Sequence, residues 1–421
     1  MKVGIAGAGA AGLATAWLLE ETHDTLVLEA RDSIGGNLRS AHLPDGDTGS
    51  PAALDLGVQE VPRHLTAVAG EIAKALGMEG HWEQLPSERA VVCDGTPLAR
   101  SSDNGSSGAL RVTEDETLAA QELLASQAAE WARKDIAWTV PLAELVEPWD
   151  LPEHVRDQAV YALPASLFGC TRSDARGLSA RAVGAFYADP GPDADARTYR
   201  LRGGMQALAW QLARQCRSAR IVPGTAVRRV RRVNGRLEMT DSAGGRHPVD
   251  AVVLALPAED ARGVVGPLGG TGTLRRLLGA YDYNDLVYGV HSDPCYLPAA
   301  RDRWAPTTLS LHGGWAETTT WRERSGGDVF VSQLTHRAEP PRCVLASTAF
   351  RTLLPTPAML TAQAELLGLQ GEGGLYFAGH LTAPVDDLDS VLGSAVAVAR
   401  HLAPDSPRLS ALVRAIGEEK R

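Results

Sequence analysis

The chain is short of the residues that build staples and anchors. Its 421 residues include five cysteines: Cys93, Cys170, Cys216, Cys295 and Cys343. The number is odd and no two form a C-x-x-C pair. That argues against a disulfide framework or a metal site and makes a reducing cytoplasm the expected setting. No apolar run reaches the roughly 18 residues that a spanning helix needs. An apolar stretch follows Lys2, but no secretory cleavage site is evident after it. Positive charge is in deficit, with 41 Lys and Arg against 51 Asp and Glu, a formal charge of -10. This balance speaks against nucleic acid or an acidic membrane surface as the main partner. Internal repeats are lacking too.

What remains is ordinary globular material, 44% hydrophobic and 22% charged, enough for a real core. A prior of ~150 residues per domain predicts two or three domains. Two stretches, "LARSSDNGSSG" (98–108) and "ADPGPDADAR" (188–197), read as exposed loops.

The first informative stretch is "VGIAGAGAAGLATAWLLE", residues 3–20. Gly7, Gly9 and Gly12 spell G-x-G-x-x-G. A buried strand precedes them and a helix-forming run follows. "TLVLEA" then reads as a second strand, Thr25 to Leu28, ending in Glu29. The glycines let the backbone approach a pyrophosphate at the helix N-terminus, and an acid at this spacing accepts ribose hydroxyls. A bare fingerprint could be a chance Gly/Ala-rich helix start; the two strands and the acid argue for a dinucleotide. NAD, NADP and FAD all suit such a turn. Arg31 hints at a 2′-phosphate, which Glu29 would repel.

Further segments point the same way. "EARDSIGGNLRS" brings Gly35 and Gly36; "LDLGVQEV" (54–61) brings Gly57. "YRLRGGMQALAWQLARQ" (199–215) joins a glycine pair to an amphipathic helix. "IVPGTAVRRVRRVNGRLEM" reads as a hairpin turning at Asn234-Gly235, and "DAVVLALP" (250–257) as a buried strand. "GGLYFAGHLTAPVDDLDSVLGSAVAVARHL" (373–402) reads as strand, loop and small-residue helix. This pattern resembles the FAD-dependent amine oxidase, phytoene desaturase and protoporphyrinogen oxidase superfamily. "GVHSDPCYLPAARDRWA" and "AQAELLGLQGEGGLYFAG" look like a bacterial branch of predicted NAD/FAD-binding oxidoreductases.

The resemblance implies an α/β fold: a discontinuous Rossmann-type FAD-binding domain (1–62, 199–266, 367–402) and a mixed-sheet α+β substrate domain (63–198, 267–366). A helical tail (403–421) follows. It implies that Gly7, Gly9, Gly12, Glu29, Gly36 and Gly57 line a non-covalent FAD, with Val227 on the adenine side and Gly379 at the ribityl-phosphate. Val391 would start the helix beneath the flavin pyrimidine. Ala10, Ala11, Ala30, Arg31, Gly35, Asn37, Val58, Gln59, His380 and Ser390 complete the expected contacts. Asp387, Asp389 and Ser390 read as N-cap or first-turn residues, at a helix end that favours a reduced, anionic flavin.

The chain has no second G-x-G-x-x-G, so no NAD(P)H domain of the disulfide-reductase kind is expected, and Gly379-His380 departs from the Gly-Asp pair of aromatic hydroxylases. No lysine lies between Lys134 and Lys420, whereas many amine oxidases of the superfamily place one near flavin N5. Ser390 stands where monoamine oxidases have an aromatic wall. These departures favour a desaturase or oxidase of a C–C or C–N bond on a small organic or lipid-like substrate. A redox-neutral double-bond isomerase, an amine oxidase and a non-catalytic escort protein are the alternatives.

Individual candidates carry less weight. His380 and Gln59 are weak catalytic candidates; Glu60 shares the loop of Gln59. His291, near Asp293, reads first as a structural histidine. Trp304, Trp315 and Trp321 read as packing, and Cys295 and Cys343 as small hydrophobes. Trp138 to Leu163 looks helical and suited to capping the cleft. The amphipathic tail "SPRLSALVRAIGEEKR" reads as a surface helix, with partner or peripheral membrane contact as the sharper alternative. The substrate, the acceptor and the oligomeric state are not written in the sequence.

Overall fold

The computed structural model describes residues 1–44, 52–85, 89–93, 96–97, 112–188, 197–324 and 327–419. The expected loop at 98–108, and all of 188–197 but its two end residues, lie outside the described residues.

Five short strands form one parallel sheet: β1 (Lys2–Ala6), β2 (Asp24–Leu28), β3 (Arg220–Val222), β4 (Ala251–Leu254) and β5 (Leu375–Phe377). Their order is β3-β2-β1-β4-β5, the arrangement of dinucleotide-binding sheets, whose ligands sit beyond the strand C-termini where the order reverses. Strand residues such as Val3, Ile5, Val27, Val252 and Val253 are fully buried. They must be apolar on both faces because both are covered.

One face carries helices α1 (Ala10–Leu19), α2 (Gln206–Gln215) and α3 (Leu388–Leu402). Helix α1 is buried nearly all round, so it has no polar face to show. Its leucines and Trp17 share a core with Leu208 of α2 and Leu392 of α3. The other face packs on the three-stranded sheet of Val227–Val233, Arg236–Asp241 and Arg246–Val249, and on the helices Ala258–Val265, Gly272–Leu278 and Pro357–Leu367. The hairpin turns at Asn234 (φ 49) and Gly235 (φ 80), two left-handed residues that only a primed turn uses.

A second, seven-stranded sheet runs in the order Val344–Leu353, Tyr283–His291, Val329–Gln333, Trp315–Arg322, Thr307–His312, Arg89–Cys93, Thr96–Pro97. It is antiparallel except where Thr307–His312 meets Arg89–Cys93. Helices from Glu114–Arg133 to Ala180–Tyr187 share a core with its Leu309, Leu311 and Ala316. The expected helical stretch 138–163 is broken into Leu142–Val146, Glu153–Val155, a π turn at Arg156–Tyr161 and the start of Ala162–Phe168. Pro141, Pro148 and Pro152 account for the breaks, because each lacks the N–H that would continue a helix. The tail forms the helix Pro407–Glu419, and its Leu409 and Leu412 are buried in the same core as α1. Its apolar face is already occupied by this chain.

Candidate functional site

The glycine turn lies where β1 and β4 diverge. Gly7 adopts φ +98, and a side chain there would put Cβ 2.3 Å from the Ala255 carbonyl at the end of β4. Gly12 is closed from the other side: its Cβ would lie 1.9 Å from the Gly7 carbonyl. Helix and strand therefore touch backbone to backbone. Gly9 differs, since a Cβ there would meet only Gly36 Cα, at 3.7 Å. Gly9 is also the N-cap of α1, with no side chain capping the helix. The N-terminal turn of α1, with Ala10 half-buried and Ala11 buried, keeps its dipole for an incoming anion.

Glu29 ends β2 and is buried. Oε2 accepts the Ala8 N–H at 2.7 Å and Oε1 the Arg31 N–H at 2.9 Å. The carboxylate is thus fixed by backbone donors, and each oxygen keeps a second lone pair for a ribose hydroxyl. Ala30 and the Arg31 side chain are exposed. Gly35 and Gly36 (φ +115 and +60) bring the next turn against Gly9. Gly35 donates to the Ala8 carbonyl at 2.8 Å. Gly57 presses so close to the Asn37 carbonyl that a Cβ would sit 1.9 Å away, with Phe350 at 3.1 Å. Val58 donates to that same carbonyl. Val227, half-buried, opens the strand Val227–Val233.

The C-terminal segment closes the site. Gly379 has φ +77, and its N–H donates to Ser394 Oγ at 2.7 Å. Gln363 Nε2 donates to the carbonyls of His380 and Ala383, and Tyr281 to that of Leu381. Asp387 caps α3, accepting from the Ser390 N–H at 3.0 Å and the Ser390 hydroxyl at 2.6 Å. Burial drives the Asp387 carboxyl up to about 6, against the pull of those Ser390 bonds. Val391 is half-buried one residue on. Asp389, also in the first turn, accepts the N–H groups of Val68 and Ala69 and so ties α3 to the helix Ala67–Ala75. His380 sits 3.6 Å from Asp386 and packs its ring against Tyr283.

The site thus unites Gly7, Gly9, Gly12, Glu29, Gly35, Gly36 and Asn37 with Gly57, Gly379 and the start of α3. Gln59 reaches away from this group: its Oε1 accepts from Thr320, at 3.2 Å, on the seven-stranded sheet. His291 lies elsewhere. It is fully buried, bonded to Ser332 Oγ at 2.8 Å and stacked on Phe330, and burial lowers its pKa to about 4. Trp304 packs edge-on to Trp321, and Trp315 stacks on His336. Cys295 and Cys343 are exposed rather than packed, because both fall in connections beyond strand ends.

Several residues escaped the sequence reading. Arg39 donates through Nε to the Gly36 carbonyl at 2.9 Å, while its buried Nη2 has no partner. Burial and then Arg31 pull its pKa down, and Glu29 pulls it up. An orphaned guanidinium nitrogen beside an open glycine cradle and an uncapped helix end suits a pyrophosphate, so the residues present fit a dinucleotide. Ser394 and Gln363 act through bonds that only the fold creates. Asp55 accepts from Ser40 Oγ (2.5 Å) and the Met205 N–H (2.7 Å), tying the 52–55 strand to α2.

A family model described as flavin containing amine oxidoreductase matches residues 10–288. No curated protein matches the chain. Among solved structures, a CLA-producing fatty acid isomerase from P. acnes superposes with a TM-score of 0.68 at 14% identity, covering 95% of this chain and 98% of that one. Cyclohexylamine oxidase from Brevibacterium oxydans IH-35A gives 0.66 at 15%, covering 100% and 99%. Wild-type putrescine oxidase bound to putrescine gives 0.64 at 16%, covering 96% and 99%. These likenesses establish the fold.

Proposed function

The chain belongs to the flavin-containing amine oxidoreductase family, and from that premise we propose that it holds FAD without a covalent link and dehydrogenates a C–C or C–N bond of a small organic or lipid-like substrate. We assign 1–62, 199–266 and 367–402 to the flavin-binding domain, 63–198 and 267–366 to the substrate domain. The flavin supplies the hydride acceptor, and electrons pass on to O2 or another acceptor. The chain's own residues do the holding. Gly7, Gly9 and Gly12 admit the pyrophosphate to the α1 N-terminus, Arg39 supplies a guanidinium N–H, and Glu29 takes the ribose hydroxyls. Gly379, Ser394, Asp387 and Ser390 fix the end of α3 against the flavin ring.

The observation that carries the choice of chemistry is the sheet face opposite the Gly57 loop. Phe350 approaches Gly57 and Thr320 bonds Gln59. Strand pairing puts Leu286, Tyr288, Val290, Thr318, Thr320, Val331, Gln333, Thr348 and Phe350 on that face. The same register adds one cation, Arg322, at the end of its strand, but neither a lysine nor a carboxylate. Tyr288 is held by Thr318 and Gln333, and burial raises its phenol well above the usual range. Such a surface orients an uncharged reacting carbon and excludes water; it offers no anion to hold an ammonium.

The experiment is anaerobic bleaching. The purified protein should be yellow, and a substrate of the dehydrogenase should bleach it stoichiometrically. A substrate consumed with no net bleaching at equilibrium assigns an isomerase instead, and a colourless protein that takes up no flavin refutes the reading.

A further inference from the structure

We propose that Arg322 is the anchor for a carboxylate on the substrate, which makes that substrate an organic acid with an apolar remainder; this rests on the flavin reading above. On the four strands Tyr283–His291, Trp315–Arg322, Val329–Gln333 and Val344–Leu353, the register places Ala316, Thr318, Thr320 and Arg322 in one row. Arg322 is the only charged side chain that these strands present on the face turned to the Gly57 loop. It stands one pleat from Thr320, which bonds Gln59 across the gap.

Arg322 is half-buried, and among the described residues its one hydrogen bond is a 3.4 Å contact from Nη1 to the carbonyl of its own neighbour, Trp321. Among the described residues no carboxylate comes within ion-pair reach of it. Glu60, Glu83 and Asp55 favour its charge from farther off. Two of them are engaged elsewhere: Glu83 with Arg200 at 3.3 Å, Asp55 with Ser40 and the Met205 N–H. Burial, with Arg200 adding repulsion, lowers the Arg322 pKa to about 10, so it remains a cation at neutral pH.

The same sheet shows how this chain treats a buried arginine with a structural task. Arg337 is met at Nε by Glu317 at 3.1 Å, and both of those side chains are buried. Glu317 also accepts from His312. Arg322 is half-buried and has no such partner among the described residues, so its cation is open to an incoming anion. Its planar fork matches a carboxylate bidentately. Arg322 pairs across the sheet with Val329, the edge of an apolar cluster with Leu54, Leu56, Val331 and Phe350, so the apolar remainder would lie along that side.

The holoenzyme is titrated with butanoate, octanoate and hexadecanoate, and with octan-1-ol and octylamine as chain-matched controls. Flavin absorption and thermal melting are both read. At least one acid should perturb both signals while the alcohol and amine do not. R322Q should weaken that acid by about tenfold or more, and R322K should recover part of the loss. The proposal is overturned if no acid binds, if octanol or octylamine binds as well as octanoate, or if R322Q with normal flavin content binds the acid as wild type does. Should the protein carry no flavin, the flavin reading fails separately, and the melting curves still report on the carboxylate.

Discussion

Glu29 has one job in the fold and, in the proposed flavin reading, a second. Its oxygens hold the backbone N–H groups of Ala8 and Arg31, which shapes the glycine turn before any ligand arrives. Replacing it by alanine orphans both donors, at about 1–3 kcal/mol each, and removes the ribose acceptor. Glu29→Ala should therefore lower the unfolding free energy in urea and leave the purified protein with a reduced flavin-to-protein absorbance ratio. A variant with full flavin and unchanged stability would refute both roles. Asp55 raises a different question, because burial lifts its carboxyl from an ordinary 3.8 to about 6. The folded state then binds this proton more tightly than the unfolded state. Its stabilising contribution is complete below pH 3.8 and is lost as pH rises through about 6. Two units amount to roughly 3 kcal/mol. Asp55→Asn keeps an acceptor for the Met205 N–H and Ser40 without the buried charge. Urea titrations across that window should show a flatter pH dependence for Asp55→Asn than for the wild type, and equal slopes would count against the assignment.

Elements in this fold are placed by backbone contacts as much as by side chains. Gly12 and Gly70 are both helical glycines, yet their surroundings predict opposite outcomes. A Cβ on Gly12 would sit 1.9 Å from the Gly7 carbonyl, whereas one on Gly70 meets nothing within 4 Å. Gly12→Ala should force α1 away from β1, costing about 1–3 kcal/mol and loosening the flavin. Gly70→Ala should stabilise by roughly 0.5–1 kcal/mol through helix propensity. Urea unfolding of the pair measures both signs. This contrast also marks what the sequence reveals. The fingerprint spacing shows that Gly12 must be small, because strand, turn and helix are contiguous there. The N-cap role of Asp387 is equally local. By contrast, Asp55 meets Met205 across 150 positions and Gln59 meets Thr320 across 261. No local pattern encodes such pairs; they exist only once two sheets are folded against each other. The same holds for Arg322, whose neighbours on the sheet are chosen by register, and for Arg39, whose orphaned nitrogen follows from burial alone.

At the scale of the whole molecule, the proposed flavin site is an assembly of distant stretches. The turn after β1, the Gly35–Asn37 turn, Gly57 and the segment from β5 into α3 converge at the C-terminal edge of one parallel sheet. A ligand that bridges them binds only the folded chain and stabilises it by mass action, about 2.7 kcal/mol at a hundredfold excess over Kd. The bridge has two ends. In the proposed arrangement the adenosine end depends on Glu29 and the isoalloxazine end on the Gly379–Val391 segment, so a flavin lacking the adenylate half would hold only one of them. Stripping the cofactor should therefore lower the melting temperature, and adding FAD should restore it, whereas FMN at the same concentration should restore little. In Glu29→Ala the advantage of FAD over FMN should shrink. If FMN protected the stripped protein as well as FAD does, the adenosine end would have no role in holding the fold together, and the assignment of the glycine turn to a dinucleotide would fall with it.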